Sequence, residues 1–113
     1  MKYVYPAIFE YDPVEKGWNV SFPDIRGCLT CGWNRHEALY MAEDALNAML
    51  WTMEYDGDEI PPASNMYDIP RPEHGFVQYV PADTEVYTAV IRRENPGMEI
   101  DESRIKKGLA PAV

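Results

Sequence analysis

The chain has 113 residues, room for one hydrophobic core and hardly two. Ten basic against nineteen acidic side chains give a net charge of −9, which repels phosphate backbones and argues against nucleic-acid binding by the folded surface. At 46% hydrophobic and 12% aromatic residues it is too apolar for disorder, yet it has no run near the about 18 apolar residues of a membrane span. Two cysteines are too few for a disulfide scaffold, and Met1-Lys2-Tyr3-Val4-Tyr5-Pro6 lacks a signal-peptide core, so a soluble cytoplasmic domain with reduced thiols is expected.

Residues Lys2 to Tyr11 alternate as a strand does, with Tyr3, Tyr5, Ala7, Phe9 and Tyr11 on one face and Val4, Ile8 and Glu10 on the other. Pro6 removes one ladder donor, which marks an edge or a bulge. Asp12-Pro13 through Lys16-Gly17 is turn chemistry, and Trp18, Val20 and Phe22 then alternate as the second arm of a hairpin. A turn over Pro23-Asp24-Ile25-Arg26-Gly27 leads to a short third strand over Cys28 to Gly32.

A helix follows. Asn34 is a suitable N-cap, and Glu37 three residues on completes a capping-box pattern. Leu39, Ala42, Leu46, Met49, Leu50 and Met53 form one apolar stripe, and Gly57 is the stop. Pro61, Pro62, Pro70 and Pro72 make residues 60–74 an extended loop. Phe76 to Val80 reads as a fourth strand. Beyond Pro81, Asp83-Thr84 can cap a helix reaching about Arg93, while Val86 to Ile91 suits a strand equally well. Residues 98–113 carry little core-forming content. The order strand-strand-strand-helix-strand describes an α+β domain in which a helix covers one face of a sheet.

Cys28 and Cys31 form a C-x-x-C pair, but a zinc site needs four ligands and only His36 and His74 remain; extended backbone would also turn the two thiols to opposite faces. Burial of Cys28 as a small hydrophobe is the expectation. No nucleophile motif surrounds either histidine, and no phosphate-cradling glycine loop, HExxH or GxSxG occurs. A metal-dependent nuclease would need Glu10, Asp12 or Asp24 to converge with Glu43 on a divalent ion; surface acids that keep the chain soluble are the simpler reading. Neither a catalytic group nor a metal or other cofactor is therefore expected.

On the helix, Tyr40, Asp44, Asn47 and Trp51 fall on one line beside the core stripe. An aromatic there suits either a protein interface or a second layer of core under the 60–74 loop. Glu54, Asp56, Asp58 and Glu59 form an acidic cluster, a docking patch or a solvated surface.

Taken in order, Tyr5-Pro6-Ala7, Gly17-Trp18-Asn19-Val20, Phe22-Pro23-Asp24-Ile25, Gly27-Cys28, Gly32, Glu37-Ala38-Leu39, Ala42-Glu43-Asp44-Ala45-Leu46 and Asp56-Gly57-Asp58-Glu59-Ile60-Pro61 resemble the HicB antitoxin domain over about residues 3–80. Arg26 stands where a proline commonly precedes the glycine, and Asn34 replaces the usual threonine cap. The resemblance implies a partial RNase H-like fold: a three-stranded antiparallel sheet, one main helix across it, and a fourth strand beside the first. The first strand would then be internal, which Pro6 permits only with a bulge. It also implies an antitoxin of a type II toxin–antitoxin system. Such a protein binds HicA, a small basic toxin that cleaves mRNA, and covers its active site as a dimer or higher homo-oligomer. An orphan regulator or scaffold without a toxin is the other non-enzymatic alternative. The partner-facing residues would be Tyr40, Asp44, Asn47, Trp51, Glu54, Asp56, Asp58 and Glu59, with Tyr79 adding aromatic surface. Residues 1–82 would form the domain and 83–113 a C-terminal extension. In that extension Ile105-Lys106-Lys107-Gly108-Leu109 resembles the start of the ribbon strand of a DNA-binding unit whose helices do not follow, so no direct DNA binding is expected.

Overall fold

The computed structural model describes residues 1–111. Strand β1 (Lys2–Asp12) follows its alternation: Tyr3, Tyr5, Ala7 and Phe9 are buried while Val4 and Glu10 are exposed. Asp12 Oδ1 accepts from the backbone N–H groups of Val14 and Glu15, and Lys16 takes φ 59, which returns the chain into β2 (Gly17–Ser21). The two pair antiparallel from Ile8↔Ser21 to Asp12↔Gly17. After β2, successive turn hydrogen bonds (Ile25 N–H to Phe22 O, Cys28 N–H to Ile25 O) drop Phe22, Ile25 and Cys28 into the core before β3 (Leu29–Gly32). Strand β4 (Gly75–Asp83) runs antiparallel along the other side of β1, giving the order β3-β2-β1-β4.

The first strand is internal, yet it carries no bulge: its register with β4 passes unbroken through Pro6↔Tyr79. The reason lies in which edge the proline faces. Tyr11 N–H donates to His74 O and Thr84 N–H to Met1 O, so odd positions of β1 bond toward β4. Even positions face β2, and β2 ends opposite Ile8. The missing donor of Pro6 thus falls where no neighbouring strand asks for it. Pro81, opposite Val4, likewise turns its nitrogen to the outer edge of β4.

Helix α1 (Arg35–Asp56) lies across the sheet. Glu37 N–H donates to Asn34 Oδ1 at 2.8 Å, and Glu37 Oε1 accepts from Trp33 N–H at 2.9 Å, so the acid reaches one residue further back than a simple capping box. Gly57 ends the helix at φ 76, with its N–H donated to Glu54 O. Ala38, Ala42, Leu46 and Leu50 sink into the sheet, while Leu39, Met49 and Met53 flank that line half-buried. The helix sits so close that a Cβ on Gly32 would lie 2.5 Å from Ala38 N, which is why β3 ends on glycine.

Residues 84–94 resolve as helix α2 (Thr84–Glu94), with Asp83 Oδ1 accepting from Val86 N–H. The 60–74 segment is extended apart from a 3-10 turn at Met66–Asp68. It is tied down by Ser64 N–H and Oγ donating to Asp24, by Met66 N–H donating to Tyr79, and by Tyr5 donating to Pro61 O. The stretch after residue 98 differs from expectation. Ile105 is buried and joins Trp51 and Tyr87 in a second, smaller core. Leu109 makes a parallel bridge with Lys2, through Lys2 N–H to Gly108 O and Ala110 N–H to Lys2 O. One isoleucine among charged neighbours gives no periodic signal, which is why the sequence reads as a bare tail there.

Candidate partner-binding surface

The residues singled out on α1 divide between surface and interior. Tyr40 is 70% exposed, and Asp56, Asp58 and Glu59 are all exposed around the C-terminal turn of the helix. Asp44 and Asn47 are half-buried and engaged with the next elements. Tyr87 donates its hydroxyl to Asp44 Oδ1 at 2.9 Å, and Asn47 Oδ1 accepts from Asp83 N–H at 2.9 Å, fixing the start of α2. Burial and then the Asp44 hydrogen bond push the Tyr87 hydroxyl well above its usual range, so it stays a donor.

Trp51 and Glu54 require correction as surface residues. Trp51 is 3% exposed, stacked on Tyr55 at 4.8 Å between ring centroids, with Nε1–H donated to Thr88 Oγ1 at 3.0 Å. It is a second core layer, but under α2 and Ile105 and not under the 60–74 loop. Glu54 is equally buried and accepts from Tyr3 (2.6 Å), Thr84 Oγ1 (2.9 Å) and Lys106 N–H (3.0 Å). This carboxylate is the joint between β1, α2 and the C-terminal segment, and burial together with Glu54 raises Tyr3 far above the phenol range. The unrecognised residues are thus Thr84, Tyr87, Ile105 and Lys106. Thr84 stood out only as part of a cap signal, and Ile105-Lys106 only as part of a segment resembling a ribbon strand.

The acids weighed for metal binding have separate structural work. Asp12 caps the first turn, Asp24 holds Ser64, Glu10 lies exposed on the sheet face away from α1, and Glu43 is exposed on α1. Among the described residues no group of three or more histidine, cysteine, aspartate or glutamate side chains is placed to hold a metal ion. Cys28 is buried, which pushes its thiol up to about 11, whereas Cys31 is exposed on the opposite face. Tyr79 is half-buried beneath the 60–74 segment. Among the described residues no helix is long and apolar enough to cross a membrane.

What remains on the outside is a helix and its C-terminal turn carrying Tyr40, Glu43, Asp56, Asp58 and Glu59. No lysine or arginine nitrogen among the described residues lies within 4.0 Å of these four carboxylates. Exposed carboxylates and one exposed aromatic ring are thus what these positions present to solvent.

A family model described as the HicB-like antitoxin of a bacterial toxin–antitoxin system matches residues 5–100. Antitoxin HicB 2 of Photorhabdus laumondii is 50% identical over 60 residues, 53% of this chain and 42% of that protein. Antitoxin HicB 1 of the same organism is 48% identical over 58 residues, 50% of this chain and 36% of that protein, so the matched segment spans less than half of either relative. Among solved structures, a toxin–antitoxin complex from Streptococcus pneumoniae shares the fold, with a TM-score of 0.70 at 21% identity over 88% of this chain and 91% of that one. A chain of the HicA3 and HicB3 toxin–antitoxin complex gives 0.58 at 25% identity, covering 72% of this chain and 99% of that one.

Proposed function

The chain belongs to the HicB-like antitoxin family of bacterial toxin–antitoxin systems, and from that premise we propose that it neutralises a small basic HicA-type mRNA interferase by covering its RNA-binding surface, without turnover. The observation that carries this is the cluster of exposed, unpaired carboxylates Asp56, Asp58 and Glu59 at the C-terminal turn of α1, on a molecule of net charge −9. A toxin that grips RNA presents positive charge, and an acidic face competes for it and steers the encounter. Tyr40 and the half-buried Asp44 supply the aromatic and polar parts of the same contact. Self-association into a homodimer or larger assembly, and a place in the bacterial cytoplasm where such toxins meet mRNA, belong to this reading.

Co-expression with a small basic HicA-type toxin, followed by size-exclusion chromatography, tests it: one co-eluting complex is expected. In that complex the association rate should fall steeply between low and physiological ionic strength. The triple reversal Asp56→Lys, Asp58→Lys, Glu59→Lys should slow association about tenfold or more at low salt, with the dissociation rate less affected. A rate indifferent to both salt and charge reversal would remove acidic steering from the mechanism.

A further inference from the structure

A groove lies beside the C-terminal turn of α1: Ile60, which lines it, follows Glu59 directly, and Tyr3 and Lys106 in its wall both hydrogen-bond to Glu54. It has a volume of about 670 Å³ and opens along the unpaired edge of β1, between the C-terminal segment on one side and the proline-rich loop on the other. Its apolar walls come from Val4, Tyr5, Ile60, Pro62 and Leu109. Such a size is within the range of small-molecule sites.

Its charge runs against that of the whole protein. The chain carries nineteen acidic side chains, yet no aspartate or glutamate lines the groove, whereas Lys2 and Lys106 both do. Among the described residues neither ammonium has a carboxylate within 4.0 Å. Apolar walls beside unpaired ammonium groups select a ligand with an apolar body and a negative head.

The sheet edge decides the size of that ligand. Lys2 already spends its N–H and C=O on Gly108 and Ala110, and Pro6 has no N–H to give. Between them Val4 alone offers its backbone to the groove. One residue of edge cannot hold an extended peptide by strand addition, which needs a row of ladder bonds. A linear small molecule has no such requirement.

We propose that this groove binds a small aliphatic carboxylate, with the carboxylate against Lys2 and Lys106 and the hydrocarbon chain over Val4, Ile60 and Pro62. Binding there ties the C-terminal segment to the proline-rich loop. Its lining, and not the antitoxin reading, carries the assignment.

The test uses the isotopically labelled full chain and three probes by NMR titration: decanoate below its micellar concentration, decylammonium, and acetate. Saturable decanoate shifts are expected at the amides of Val4, Ile60 and Leu109, with decylammonium and acetate each at least about tenfold weaker. The double variant Lys2→Gln, Lys106→Gln changes only exposed side chains and should weaken decanoate about fivefold to tenfold. Lys16→Gln, on the first turn, should leave it unchanged. Equal affinity for decanoate and decylammonium, an unaltered double variant, or shifts confined to other parts of the surface would each overturn the proposal.

Discussion

Four protons sit on groups that the fold holds tightly. Burial lifts the Cys28 thiol from 9.0 to about 11, and burial with the Asp24 carboxylate lifts Tyr5 from 10.0 to about 12. Tyr3 and Tyr87, each buried and donating to a carboxylate, are raised higher still. The folded chain keeps these protons at a pH where the unfolded chain has lost them. Their contribution is therefore complete below the unfolded values and drains away as pH climbs through the folded ones. Urea-unfolding midpoints should stay level from about pH 7 to 9 and fall above about pH 10. The fall should be shallower in Tyr87→Phe, and an equal slope in both proteins would mean the Tyr87–Asp44 contact is absent in solution. Little of this is legible from sequence. Tyr87 and Asp44 are 43 positions apart, and no local spacing announces that they meet.

At the scale of the element, the ends of α1 show how much local chemistry fixes. Asn34, Glu37 and Gly57 were readable because caps act through bonds only a few residues long, and each is found in its role. The face of the helix was less readable. The apolar stripe correctly identified the line through Ala42, Leu46 and Leu50. A single stripe cannot reveal that a helix is packed on two sides, however, and α2 takes Trp51 and Glu54 out of the surface. Segment 84–94 had offered helix and strand signals together, and the Asp83 cap with packing against α1 settled it as helix. Substitutions should rank accordingly. Asn34→Ala loses one cap and should cost about 1 kcal/mol. Gly32→Ala forces α1 off β3 and should cost more, about 2–3 kcal/mol. Urea unfolding of the two variants measures both, and the reverse order would contradict the close helix–strand approach.

For the whole molecule, the decisive feature is that the chain's last described residues fold back onto its first. Ile105 plugs the second core, Lys106 N–H donates to Glu54, and Leu109 bridges Lys2. Ile105→Ala should therefore destabilise the protein by about 2–4 kcal/mol in urea unfolding and, in a Trp18→Phe, Trp33→Phe background that leaves Trp51 as the fluorophore, shift its emission to the red. Loss of stability with Trp51 emission unchanged would place Ile105 elsewhere. The sheet order and the covering helix were legible because their patterns are periodic. This closure was not, since it rests on one apolar side chain and a few backbone bonds. The two prolines of the sheet have a broader consequence. Pro81 blunts the rim of β4, and β3 on the far rim is only four residues long. Lateral zippering of one copy onto the next through main-chain amides, the route into fibrils, is thereby discouraged at high expression. Clusters of this protein should consequently be side-chain affairs, finite in number and dissolvable by changing one residue at a time.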